Sequence, residues 1–204
     1  MNTDFKNLPL IILAAGDSKR MGKPKGLLNY RGKPFLVHQI ERLLEIGLSE
    51  IIVVLGKDYK LYHEKVPEFK GLEFTVNPSP ERGQFSSIQC GMQKVQSRGI
   101  SGVFILPIDV PCLDREVWEE LANEMSLSEC AVTIPKFKGK KGHPVLISRE
   151  FMQHLISCSS DSRLDFEIYE QIDLKKAKII SVNDKNITRN LNTPEDWKQY
   201  EELK

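Results

Sequence analysis

Short, continuous apolar runs alternate with amphipathic stretches along this chain, and that alternation constrains its fold more than any other feature. Leu10-Ile11-Ile12-Leu13, Ile51-Ile52-Val53-Val54-Leu55 and Val103-Phe104-Ile105-Leu106 are rich in β-branched side chains. A strand that is apolar at every position must be covered on both faces, as in a parallel sheet held between helices. The intervening stretches supply such helices. Leu36, Ile40, Leu43 and Leu44 share one helical face, and Gly47 stands where a left-handed cap belongs. Phe85, Ile88, Met92 and Val95 form a second face, and Trp118, Leu121, Ala122 and Met125 a third. The pattern predicts an α/β fold of three layers with a mostly parallel sheet. In the second half, residues 130–135 and 145–148 are expected as strands around a basic loop. Residues 149–157 and 164–171 are expected as helices, 178–182 as a late strand, and 194–203 as a terminal helix opened by Pro194.

The length of 204 residues predicts one domain over 1–204, with no linker, repeat or low-complexity tract. Lys plus Arg total 29 and Asp plus Glu 28, a net charge of +1, which argues against nucleic acid as a partner. No apolar run approaches the roughly 18 residues that a membrane-spanning helix needs. The run over 8–15 could imitate a signal peptide, but Asp4 and Lys6 cancel before it, so the positive lead is missing. Cys90, Cys112, Cys130 and Cys158 are scattered and form no CxxC pair, which predicts no zinc site and suits a reducing cytoplasm.

In open α/β sheets, ligands bind beyond the carboxyl ends of the strands. After the first run, the segment from Gly16 to Lys33 carries six basic residues (Lys19, Arg20, Lys23, Lys25, Arg31, Lys33) against Asp17 alone. A local charge of +5 thus sits inside a near-neutral chain. Small residues let the backbone approach a ligand, and successive amides can cradle an anion. The segment predicts a phosphate-binding loop. It is not a Walker A loop, because five residues separate Gly16 from Gly22 and Pro24 follows Lys23, and no GxGxxG is present.

The residue order LAAGDSKRMGKPKGLL, Leu13 to Leu28, resembles the LAAGxSxRMGxxKLL signature of the MobA-like nucleotidyltransferases. Within them it is most similar to the molybdenum cofactor cytidylyltransferases. The resemblance implies a Rossmann-like nucleotidyltransferase fold in which this loop wraps a nucleoside triphosphate. Leu13, Ala14, Ala15 and Gly16 would contact the nucleotide, with Arg20 and Lys25 neutralising the phosphates and the leaving pyrophosphate. Gly26 stands where cytidylyltransferases more often carry Leu, and the Lys-Gly-Leu-Leu ending is similar to the guanylyltransferase branch, so both bases stay open.

Later motifs recur in the family's order. Asn77-Pro78, Gly83 and Ser86-Ser87 open the helix that carries Phe85. Pattern alone allows simple capping; the resemblance implies nucleoside contacts by Gly83 and Ser87. Asp109 in Leu106-Pro107-Ile108-Asp109 ends a strand, where a carboxylate suits Mg²⁺, a hard cation that prefers oxygen. The resemblance makes it the metal ligand. Asn190-Leu191-Asn192-Thr193-Pro194-Glu195-Asp196 is similar to the family's terminal NINTPED motif, which places Asn192 near the metal; the other reading, compatible with it, is that Thr193 caps the last helix. Gly142-His143-Pro144-Val145 is similar to a GHPVLF motif that implies acceptor contacts by Gly142 and His143. Of the GDxGAR segment, only Arg163 is kept.

The resemblance as a whole implies Mg²⁺-dependent transfer of a nucleotidyl group, CMP from CTP, to the terminal phosphate of molybdopterin-bound molybdenum. Arg20, Lys25 and Asp109 would carry the chemistry. The acceptor serves molybdenum hydroxylases such as xanthine dehydrogenase, so a transient contact with such an apoenzyme is expected. The alternatives are guanylyl transfer to the same cofactor, nucleotidyl transfer to a sugar phosphate, and a non-catalytic cofactor chaperone.

Overall fold

In a computed structural model, which describes residues 4–18 and 21–202, the apolar runs lie side by side in one sheet. The chain runs through β1 (Leu10–Ala14), a small hairpin of β2 (Asn29–Tyr30) and β3 (Lys33–Pro34), α1 (Phe35–Glu45), β4 (Ile51–Leu55), α2 (Tyr59–Lys65) and β5 (Leu72–Val76). It continues through α3 (Gln84–Val95), β6 (Gly102–Pro107), α4 (Arg115–Ser128), β7 (Val132–Phe137), β8 (Lys140–Lys141) and β9 (Val145–Ser148). It closes with α5 (Arg149–Ser157), α6 (Leu164–Asp173), β10 (Ala177–Ser181) and α7 (Pro194–Glu202).

The sheet order is β10-β7-β9-β6-β1-β4-β5, with β8 paired to β7. Pairing is parallel except at β9, which runs against both neighbours, and at the β7–β8 hairpin. The three-layer, mostly parallel expectation therefore holds. Its cause is visible in β1. Leu10, Ile12 and Ala14 enter a core built with α1 and α4, while Ile11, Leu13 and Ala15 enter a second core built with α3 and α5. Each fully buried aliphatic side chain is worth about 1.5–3 kcal/mol, so neither face tolerates a polar interruption.

The predicted cap after α1 is present. Gly47 takes φ 105°, its N–H reaches Leu44 O at 3.0 Å, and Leu48 N–H reaches Leu43 O at 3.0 Å. This pair of bonds is the Schellman arrangement, and buried Leu48 supplies its apolar contact.

Three elements differ from expectation. β5, Leu-Glu-Phe-Thr-Val, is an edge strand with only Thr75 buried, so it carries no apolar run. α2 buries only Tyr62 and shows no periodicity. The basic loop after residue 135 is a hairpin, turned by Lys138 and Gly139 at φ 45° and 83°, which suits a two-residue connection between antiparallel strands. The late strand and terminal helix fall within one residue of their expected bounds. Among the described residues, no helix is long and apolar enough to cross a membrane.

β1 lies between β4 and β6, and the chain visits β4 and β5 before returning to β6 on the far side. The connections after β1 and β6 thus leave the sheet in opposite directions and open a crevice between them, where α/β sheets bind ligands.

Candidate active site

The crevice is shaped first by the loop after β1. Ser18 takes φ 46° and its hydroxyl accepts the Lys25 N–H at 3.2 Å, which folds the loop back on itself. The Met21 N–H closes a turn onto Ser18 O at 2.8 Å. Lys25 then begins a 3-10 turn, Lys25–Leu27, that aims its side chain into the crevice. Lys19 and Arg20 lie outside the described residues, so the position expected for Arg20 does too.

From the opposite wall, Ile108 N–H bonds Leu13 O at 3.1 Å and carries Asp109 out past the end of β6. Lys25 Nζ donates to Asp109 Oδ2 at 2.7 Å and to Asn192 Oδ1 at 2.7 Å. Three residues spread over 167 positions of chain therefore meet at one point. The Lys25–Asp109 pair is largely shielded, with side chains 14% and 19% exposed, so water screens it weakly.

Asn192 is placed from two sides. Leu191 N–H bonds Asp109 O at 2.9 Å, tying the segment to the end of β6. Asp196 Oδ2 accepts the N–H groups of Asn192 and Thr193 at 3.0 and 2.8 Å, while Thr193 Oγ1 accepts the Asp196 N–H at 3.1 Å. This is a capping box with Asp in the acidic position and Pro194 as the first helical residue. Both readings of the motif hold: Thr193 caps α7, and the cap fixes Asn192. Rings behind the cap anchor α7 itself, with Trp197 edge-on to Phe35 at 4.9 Å and Tyr200 stacked on Tyr30 at 5.4 Å. Thr193→Ala should destabilise the protein by about 1 kcal/mol. Urea unfolding reads this, and an unchanged midpoint would show that the cap is idle.

The third wall is the start of α3. Gly83 takes φ 93° and ψ −176°, a conformation open to glycine and strained for other residues. Buried Asn77 donates from Nδ2 to Ser86 Oγ and Ser87 Oγ at 2.9 Å each. Asn77 is thus a scaffold residue that holds Ser87 in the wall.

The resulting cavity, about 400 Å³, is lined by Leu13, Ala15, Gly16, Lys25, Gly83, Ser87, Asp109 and Asn192, all expected from sequence. Ala14 turns its side chain into the α1 and α4 core, because neighbouring strand residues face opposite sides, so the contact expected of it is through its backbone. Sequence reasoning did not single out Ser18, Met21, Pro80 and Gln84, which line the cavity as well. Only Ser18 left a signal, as a small polar residue inside the loop.

Gly142 and His143 line a second cavity of about 760 Å³, which shares Gly83 and Gln84 with the first. Lys140, Lys141, Arg82 and Arg163 border it. A Cβ at Gly142 would sit 2.0 Å from Ile187 O, so the backbone approach there requires glycine. His143 N–H bonds that same Ile187 O at 2.9 Å. Burial holds the His143 imidazole below its ordinary pKa, and the Asp109 carboxylate partly offsets this. Gly26 has a packing cause: a Cβ there would lie 2.8 Å from the Tyr62 ring, which fills the space a larger residue would take.

A divalent cation fits this donor set. Asp109 Oδ2 and Asn192 Oδ1 already converge on a positive centre, the Lys25 ammonium, and oxygen donors suit Mg²⁺.

Comparison with known proteins adds the following. The family description "MobA-like NTP transferase domain" matches residues 10–174. The bifunctional IPC transferase and DIPP synthase of Thermococcus kodakarensis is 37% identical over 112 residues, 53% of this chain and 25% of that protein. The probable molybdenum cofactor guanylyltransferase of Bacillus anthracis is 28% identical over 64% of this chain and 62% of its own length. The chain thus spans under two thirds of both. The molybdenum cofactor cytidylyltransferase of Escherichia coli is 25% identical, with 92% of each chain covered. The crystal structure of Rv0371c from Mycobacterium tuberculosis shares the fold with a TM-score of 0.78 at 20% identity, covering 96% of this chain and 97% of that one. The manganese complex of Rv0371c superposes with a TM-score of 0.73 at 18% identity, covering 96% and 98%.

Proposed function

The chain belongs to the MobA-like NTP transferase domain family and is a nucleotidyltransferase, and from that premise we propose that it transfers CMP from CTP to the terminal phosphate of molybdopterin-bound molybdenum. The carrying observation is the convergence of Lys25, Asp109 and Asn192 in a cavity that shares Gly83 and Gln84 with a second one bordered by Lys140, Lys141 and Arg163. The first cavity takes the triphosphate and the second the phosphorylated acceptor. We read residues 1–204 as a single working domain. Asn192 lies beyond the matched residues 10–174, so the last helix is needed to complete the site.

In this reading an acceptor phosphate oxygen forms a bond to the α-phosphorus, and the bond to the bridging oxygen breaks. Pyrophosphate leaves with the electron pair. The protein's task is positioning and charge stabilisation, with no covalent nucleophile. Lys25, with Arg20, neutralises the phosphates. Leu13, Ala14, Ala15 and Gly16 supply the backbone cradle, and Gly83 and Ser87 border the nucleoside. Gly142 and His143 face the acceptor. Asp109 and Asn192 would hold Mg²⁺, which when bound supplies charge neutralisation on the phosphate oxygens. The proposal extends to a transient contact with a molybdenum hydroxylase apoenzyme that receives the product.

Guanylyl transfer to the same cofactor is the second reading, favoured by the Bacillus relative. Incubation with molybdenum cofactor, Mg²⁺ and each nucleotide in turn, followed by pyrophosphate measurement, separates them. CTP-dependent release is expected. Release with GTP alone overturns the cytidylyl assignment, and release with neither, when a sugar phosphate succeeds as acceptor, overturns the cofactor assignment.

A further inference from the structure

No pair of cysteines is spaced for a metal, yet the fold gathers a mixed donor set away from the transferase crevice. His154 lies in the last turn of α5, and Cys158 caps that helix one turn later. Glu167 lies in the first turn of α6. His154 Nε2 is 3.1 Å from Glu167 Oε2 and 3.5 Å from Cys158 Sγ, and one ligand atom from each of the three lies within 4.8 Å of the others.

Each donor is held in place. The His154 ring stacks on Phe151 with centroids 5.9 Å apart and planes 13° apart. Glu167 is buried, its other carboxylate oxygen taken by the Ser162 hydroxyl. The backbone at Cys158 is fixed by Gln89, whose Nε2 donates to Leu155 O and Cys158 O at 2.9 Å each. The His154 side chain is half exposed, which leaves a path from solvent.

His154 Nε2 and Glu167 Oε2 face each other, and the Cys158 thiol, which reaches His154 O at 3.4 Å, presents its sulfur to the same point. A metal-bound thiol gives up its proton, so Cys158 would coordinate as the thiolate.

We propose that His154, Cys158 and Glu167 bind one borderline-soft divalent cation of the zinc type, tying the end of α5 to the start of α6. Nitrogen, sulfur and oxygen donors together suit zinc and disfavour magnesium, which takes oxygen. Three protein ligands leave a fourth position for water. The segment between the helices carries Asp161, Ser162 and Arg163 into the wall of the second cavity, so the ion would stiffen that wall. The site stands apart from Asp109 and does not depend on which acceptor the enzyme uses.

Cobalt(II) is the probe, added to the full chain after treatment with a chelator. One equivalent should produce thiolate-to-cobalt charge-transfer absorption, and zinc(II) should abolish it. Cys158→Ser should lose the absorption, and Cys90→Ser should keep it. His154→Gln should weaken cobalt binding at least about tenfold, with circular dichroism confirming that each variant is folded. Absence of thiolate absorption at one equivalent, or its persistence in folded Cys158→Ser, overturns the proposal.

Discussion

Asp109→Ala should lower the rate of nucleotidyl transfer by at least about 10²-fold while leaving the fold intact. The size follows from what is removed: a group that organises charge at the reacting phosphates, in a site where water screens weakly. The fold should survive because the backbone of Asp109 does the structural work. Its carbonyl still accepts Leu191 N–H, and Ile108 N–H still bonds Leu13 O. The side chain itself pairs with Lys25 at a partly exposed cavity. Pyrophosphate release measures the first effect and thermal unfolding the second. A variant that turns over normally would show that the metal is held by other residues.

Lys25→Ala should produce two changes of opposite sign. Triphosphate affinity and rate should both fall, together by about 10²-fold in kcat/KM, because a lysine on a phosphate acts in the ground and transition states alike. Binding of Mn²⁺ without nucleotide should instead tighten, by more than about tenfold. The Lys25 ammonium holds Asp109 Oδ2 and Asn192 Oδ1 at 2.7 Å each, the oxygens a cation needs. Two unit charges about 4 Å apart interact by some 4 kcal/mol near a protein surface, so removing one changes cation affinity strongly. Isothermal titration with Mn²⁺ alone, then with nucleotide, reads both signs. A loss of both affinities would mean that Lys25 orders the site without competing for it. Full activity would return the loop to mere solvated surface.

Legibility from sequence tracked the local signal. β1, β4 and β6 were visible because strands covered on both faces must be apolar throughout. β5 was not, since an edge strand with charged and half-exposed residues has no such requirement. α2 has seven residues and one buried side chain, too few for a period to show. Within the site, the loop residues and Asp109 stood out because each follows a strand end. Ala14 sends its side chain into the opposite core, which leaves only its backbone for the loop.

The family and the layers were legible in residue order alone, because a basic strand-end loop and a two-faced apolar strand are local patterns. Which side chains meet was decided only in three dimensions. Lys25, Asp109 and Asn192 are brought together by a chain crossing and by the cap on α7. His154, Cys158 and Glu167 meet because α6 folds back on α5, across a spacing that matches no metal motif. Periodicity reports what one element buries, whereas such contacts depend on where other elements pack, and no local pattern of residues records that.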